Sequence, residues 1–279
     1  TWDLFQYPGI RSDSDMHTLG FSFKPWTDAK AIADGPSIKS YLKETVDEYD
    51  LYSHILFDHK VMDYSWSSVS KTWTVSLLEE GREKSLSCNF LMICSGYYNY
   101  DKGYTPHIEG IENYRGTLVH PQHWPKDLEI DNKKIVVIGS GATAMTIVPN
   151  VAQQASKVTM LQRSPTYVVA RPDQDAIANF LRKWLPSKLA YSITRLKNTW
   201  LQSFMYKRMR AKPEEAKRNL IGMTKAALNK EFDVKKHFTP SYYPWDQRLC
   251  LLPNGDLYDS INQGLSLIHI SEPTRPLRI

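Results

Sequence analysis

The chain has 279 residues, 42% hydrophobic and 23% charged, which excludes a disordered or low-complexity protein and bounds it to one large domain or two ordinary ones. Its net charge of +5 comes from an excess of Lys and Arg between Arg182 and Lys236, mixed with apolar residues at helical spacing. That pattern reads as solvated helix faces and argues against a nucleic-acid partner. Cys88, Cys94 and Cys250 form no C-x-x-C pair, so neither a metal site nor a disulfide framework is expected. A reducing, cytoplasmic setting follows as the expectation.

In chain order, residues up to Ser14 are loop-like, with Pro8-Gly9 as a turn. A helix is predicted from about Ser37 to Tyr49, where Ile38, Leu42 and Val46 recur at i, i+4 and i+8. Strands are predicted at His54–Phe57 and Val61–Trp66. Another runs through Trp73, Val75 and Leu77, which alternate with polar residues. After a turn at Glu79–Arg82, Ser85–Ser95 reads as a strand whose end, Phe90–Cys94, is apolar without alternation. The expectation is a β-meander that returns into a buried sheet. Tyr104–Asp131 is an irregular connection.

Ile135–Ile138 then forms an apolar run suited to a buried parallel strand. Gly139-Ser140-Gly141-Ala142-Thr143-Ala144 follows as G-x-G-x-x-A, then a helix over Thr143–Ala155 and a strand over Lys157–Leu161. This is a βαβ unit carrying a dinucleotide fingerprint. Gly139 permits the tight turn, and Gly141 lets the backbone approach a pyrophosphate. Ala144 is small enough for the helix to sit on the strand, and the helix N-terminus offers N–H groups to phosphate. The same stretch, Ile135–Ser156, is uncharged and long enough to suggest a membrane span. Its glycine turn and polar residues argue instead for a nucleotide-fold core, and no transmembrane segment is expected. The second strand ends at Gln162-Arg163-Ser164, where an NAD site would place an acid. An arginine there favours a 2′-phosphate, so Arg163 and Ser164 point to NADP.

Helices follow between Asp175 and Lys230, interrupted near Pro186 and Pro213. Phe238–Asp246 is rich in Pro and Tyr. Asn254-Gly255-Asp256 turns into a short helix ending at Gly264.

Three motifs together resemble the flavin-dependent monooxygenases of the Baeyer–Villiger type. Tyr114-x-Gly116-x-x-x-His120-x-x-x-Trp124-Pro125 is similar to the family fingerprint, with Tyr in place of the usual Phe. Trp2-Asp3 through Tyr7-Pro8-Gly9 to Arg11-Ser12-Asp13 resembles the segment that runs along the flavin. Asp246-Gln247-Arg248-Leu249 resembles the segment bearing the active-site arginine. The resemblance implies an α/β flavoprotein, three-layered and Rossmann-like, with two dinucleotide-binding domains, a β-meander and a helical insertion. Residues 1–130 are expected to be a partial FAD-binding domain with linker. Residues 131–264 are expected to be the NADP-binding domain, its helical insertion spanning about 175–236. No strand is expected after Gly264, because Leu265–Ile279 matches nothing in the family and reads as a non-native tail. The family's N-terminal FAD glycine motif and its later half are also missing, so the chain is expected to be a fragment.

The activity implied is insertion of one oxygen atom from O2 into a ketone, with NADPH reducing FAD and a flavin peroxide as oxidant. Arg248 is implied as the catalytic charge, with Asp13 pairing to it. Trp2, Asp3, Asp13 and Val61 are implied at FAD. Arg11, Ser12, the turn Gly139–Ala144, Arg163, Ser164 and Gln247 are implied at NADP. Gln247 stands where the family often has Lys, which leaves more of the 2′-phosphate recognition to Arg163 and Ser164. His120 is read as a hinge or NADP-side residue rather than a base, and Trp124 as an anchor for the linker. Two alternatives stand beside this reading. One is an N- or S-oxidising flavin monooxygenase, against which Trp124-Pro125 argues. The other is an incomplete, catalytically inert NADP-binding module.

Overall fold

The structure, a computed structural model, describes residues 2–270. Its contacts divide the chain into two units. The described residues up to Tyr41 join those from Glu109 onward, and Leu42–Ile108 form the second unit. This grouping crosses the division near residue 130 that the sequence suggested. The reason is that Tyr7 packs against a core formed by residues after Glu109, and Arg11 reaches Asp256.

Asp15 opens helix α1 (Met16–Leu19) by accepting the Thr18 N–H at 3.1 Å. Asp34 accepts the Ser37 N–H at 2.9 Å at the start of helix α2 (Gly35–Glu48). Ile38 and Tyr41, three apart on one helix face, are buried.

The second unit is an antiparallel meander of β1 (His59–Ser67), β2 (Thr72–Glu79) and β3 (Arg82–Cys88), in that order. Glu80 and Gly81 both have positive φ between the paired residues Glu79 and Arg82, the geometry of a two-residue type I′ hairpin. Two expectations fail here. His54–Phe57 is not a strand: Leu51–His54 is a 3-10 turn, and the positive φ of Asp58 resets the chain before β1. The third strand stops at Cys88 instead of Ser95, and Phe90, Met92 and Ile93 are exposed. A strand is held by its neighbours, and among the described residues none pairs with Phe90–Cys94.

The remaining elements form the nucleotide fold. Strand β4 (Lys134–Ile138) leads into helix α3 (Ala142–Val151) and returns as β5 (Lys157–Gln162), parallel to β4 from Lys134↔Lys157 to Ile138↔Leu161. Strand β6 (Tyr167–Arg171) follows, then α4 (Ala176–Trp184), α5 (Ser187–Ala211), α6 (Pro213–Ala227) and α7 (Val234–His237). Strand β7 (Leu249–Pro253) pairs parallel to β6, and α8 (Asp256–Asn262) leads to β8 (Ser266–Ile270), parallel to β5. The predicted helical insertion is present, with breaks where Pro186 and Pro213 remove backbone N–H donors. Met145, Val148, Val158, Met160, Leu252 and Leu257 meet in the core between α3, the sheets and α8.

Two further corrections concern this sheet. Strand β4 is covered on one face only: Val136 and Ile138 are each 61% exposed. A strand also follows Gly264, contrary to expectation. Ser266 and Ile268 point inward, and the Ser260 and Ser266 hydroxyls bond at 2.8 Å, so alternation places β8 on the open edge of β5. Residues 271–279 of the proposed tail lie outside the described residues.

Candidate functional site

The chain turns sharply from β4 into α3. Gly139 has φ +134, a conformation L side chains rarely adopt, and its N–H donates to the Leu161 carbonyl at 2.8 Å. The turn is thereby stitched to β5 beside it. Ala144, one helical turn on, is buried with Met145 against the sheet. Gly141 N-caps α3 and, as glycine, has no side chain to cap the first-turn N–H groups. Ser140 donates its hydroxyl to the Ser164 carbonyl at 3.1 Å and lies 3.2 Å from the Thr166 hydroxyl. Ala142 and Thr143 complete the first turn. Gly139, Ser140, Gly141, Ala142, Thr143 and Ala144 are thus brought together with Ser164. Arg163 lies beside them, exposed at the end of β5.

Arg248 reaches this turn from the start of β7. A Cβ at Gly141 would collide with its Nη1 and lie 3.3 Å from its Cζ. Only glycine lets the guanidinium come so close to the backbone. Gln247 precedes it and is exposed.

The third wall is the segment from Tyr7 to Asp13, which crosses α3. Burial raises the Tyr7 phenol, with the Thr143 side chain pulling it back down, and Gly9 backs onto the Asn150 side chain. Arg11 pairs with Asp256 at 2.5 Å, and its Nη2 is buried without a hydrogen-bond partner. Ser12 is buried, and its hydroxyl accepts the Ala33 N–H at 3.1 Å. Asp13 is exposed at its surface, yet the protein around it partly desolvates its carboxyl. Burial raises its carboxyl above the ordinary range, and the charges of Arg11 and then Arg248 pull it back down. The stronger electrostatic partner of Asp13 is therefore Arg11, with Arg248 second.

Trp2 and Asp3 lie elsewhere in this unit. The Trp2 ring is near Gly35, and the Asp3 carboxylate, exposed, pairs with Lys39 at the start of α2. Val61 belongs to the second unit, where it pairs with Leu77 beside a bulge and is 56% exposed. In the fingerprint, the Tyr114 ring folds over Gly116, where a Cβ would meet it. His120 Nδ1 accepts the Gln122 N–H at 3.2 Å and caps the 3-10 turn Pro121–His123. Trp124, followed by exposed Pro125, packs against the α3 core.

Sequence reasoning missed four participants. Tyr7, Cys250, Tyr242 and Asp256 all bear on the site: Asp256 pairs with Arg11 across 245 residues and Tyr7 packs on the α3 core, while Tyr242 and Cys250 stand beside Arg248 in sequence as well. Burial pushes the Cys250 thiol up to about 11, against the pull of Arg248, so it stays protonated beside the arginine. The Tyr242 hydroxyl donates to the Arg248 carbonyl at 3.0 Å. Tyr7 lies within the Trp2–Asp13 motif with no role assigned to it there, and no motif marks the other three.

Asp13→Asn is expected to stabilise the folded chain at about pH 7. A raised carboxyl means the folded chain holds the proton to higher pH than the unfolded chain. The cost of the partly desolvated charge is present above the folded value and vanishes as pH falls through it. The urea midpoint of the variant should exceed that of the parent near neutrality and converge with it below about pH 4. A variant less stable than the parent at neutral pH would mean that the two arginines outweigh burial.

The chain matches the family model described as flavin-binding monooxygenase-like over residues 22–238. It is 52% identical over 265 residues to the FAD-containing monooxygenase EthA of Mycobacterium tuberculosis, covering 95% of this chain and 54% of that protein. It is 46% identical over 274 residues to the probable FAD-binding monooxygenase AlmA of Acinetobacter baylyi, covering 98% and 55%. The chain spans about half the length of these curated relatives. Its fold is shared with a steroid monooxygenase bound to NADP at a TM-score of 0.72 and 22% identity, over 98% of this chain and 58% of that one. A polycyclic ketone monooxygenase from Thermothelomyces thermophila gives 0.74 at 17% identity, over 96% and 51%. With more than half its length under the family model, and a βαβ turn of the kind such enzymes need, this chain is a member of the flavin-binding monooxygenase-like family.

Proposed function

We propose that the protein is an NADPH- and FAD-dependent monooxygenase that inserts one oxygen atom from O2 into ketones. The observation that carries this reading is the placement of the Arg248 guanidinium on the backbone of Gly141, with Asp13 in range of its charge. A fixed cation at a nucleotide turn suits a reaction in which negative charge develops at the reacting carbonyl. The glycine turn and the uncapped N–H groups of α3 fit a dinucleotide pyrophosphate. In this reading residues 131–264 carry NADP and residues 1–130 belong to the FAD-binding half, with Trp2, Asp3, Asp13 and Val61 on its flavin side. The flavin, when bound, supplies the activation of O2. The chain's own residues orient the nucleotide and hold charge: Arg163 and Ser164 face the 2′-phosphate, and Arg11 steadies Asp13. The solved structures that share this fold include a ketone monooxygenase, which supports a carbonyl substrate.

The test is substrate-stimulated NADPH oxidation by the full-length, flavin-loaded protein. Stimulation by a ketone with ester formation is expected. Stimulation by amines or sulfides alone would replace this reading with the N- or S-oxidising one. No flavin and no turnover would leave the inert nucleotide-binding reading.

A further inference from the structure

We propose that Trp245 and Arg210 are positioning residues that aim Arg248 at the glycine turn, and that the corner between α5 and α6 is the mount they bear on. The inference rests on the reading of Arg248 given above.

Arg248 ends a segment, 241–248, with no regular secondary structure. A long side chain on such a segment wanders unless its backbone is fixed. Trp245 shows where the fixing occurs. Its φ is +71, a left-handed conformation that is a true outlier for a bulky residue and persists only when its surroundings impose it. Those surroundings are on α5. The indole N–H donates to Met209 Sδ at 3.2 Å, and the ring meets Tyr206 edge-on at 5.7 Å. The next residue, Asp246, pairs with Arg210 on the same helix and accepts the Tyr243 N–H at 3.3 Å. Helix α6 holds the other side. Tyr243 donates its hydroxyl to Glu214 at 2.7 Å, and Lys217 reaches the Pro240 carbonyl at 2.8 Å. At the near end, Tyr167 donates to the Tyr242 carbonyl at 2.6 Å, and the Tyr242 hydroxyl grips the Arg248 carbonyl.

The clamp is not explained by stability. Arg210 and Asp246 have side chains 45% and 39% exposed, and a pair so exposed adds little to folding. It does fix the residue two places before Arg248. Misplacing a catalytic group by a small distance costs rate steeply, so a weak pair at this point has a large lever.

The test uses the full-length protein with flavin bound, and the variants Arg210→Ala, Trp245→Gly and the reversed pair Arg210→Asp with Asp246→Arg. Arg248→Ala is run alongside. Turnover at saturating NADPH and substrate, thermal midpoint, and the Arg248 Nε–H resonance of arginine-labelled protein are measured. That resonance is identified by its loss in Arg248→Ala. Arg210→Ala and Trp245→Gly should each lower turnover about tenfold with the midpoint unchanged. They should also broaden or shift the resonance, and the reversed pair should restore both readouts. Wild-type turnover and an unchanged resonance in both single variants would overturn the positioning role while leaving the site reading intact. A midpoint that falls in step with turnover, without rescue by the reversed pair, would also overturn it, as a merely structural role. If Arg248→Ala itself turns over normally, the site reading has failed instead.

Discussion

Replacing Arg248 by alanine is expected to lower oxygenation by about 10²–10³-fold while leaving the flavin bound, the usual loss when a charge-stabilising donor is removed. The side chain belongs to the nucleotide half of the fold. It rests on Gly141, and its carbonyl is tied to Tyr242, so no core contact depends on it. Folding and flavin retention should therefore be untouched. What is lost is a fixed guanidinium where negative charge grows as oxygen enters the carbonyl. Lysine should restore little, because a flexible ammonium does not reproduce a planar, bidentate fork. The measurement is ester formed per NADPH consumed, with the flavin absorbance followed in the same samples. Ester formation at the parent rate would remove Arg248 from the mechanism. Normal NADPH consumption with lost ester would place it in oxygen insertion rather than in flavin reduction.

The parts of this site that were legible in the sequence are those built from local chain. The Gly139–Ala144 turn, its flanking strands and Arg163 lie within one βαβ unit, where spacing dictates geometry. Pro186 and Pro213 likewise mark the helix breaks on either side of α5. Strand β8 was hidden because a short apolar run becomes a strand only where an edge such as that of β5 awaits it. The same dependence, in reverse, undid Phe90–Cys94, which has strand composition but no neighbour to pair with among the described residues. Arg11 shows the limit most clearly. The motif names the residue but not its ion-pair partner, Asp256, 245 residues away in sequence. The partner of a charge is a tertiary fact. The roles of Tyr7 and Cys250 were invisible for the same reason: each is defined by what the fold packs against it.

Arg163→Ala is expected to weaken NADPH by about ten- to a hundredfold and NADH hardly at all, the worth of charged hydrogen bonds of about 1.5–3 kcal/mol. Arg163 follows Gln162, the last residue of β5, and precedes Ser164, whose carbonyl accepts the Ser140 hydroxyl. Its backbone is therefore anchored on both sides, at a fixed offset from the pyrophosphate turn, while its side chain is free to reach a ribose phosphate. Gln247 is a neutral residue and cannot replace that charge. The ratio of NADPH to NADH dissociation constants isolates the effect, since every other contact is common to both nucleotides. It also predicts a salt signature. A contact between an exposed guanidinium and a phosphate is screened, so the parent's preference for NADPH should shrink as ionic strength rises. The variant's ratio should stay flat. Arg163→Glu should go further and favour NADH, because a carboxylate repels the 2′-phosphate and accepts hydrogen bonds from the free ribose hydroxyls. A ratio unchanged in Arg163→Ala would move recognition of the 2′-phosphate away from the end of β5.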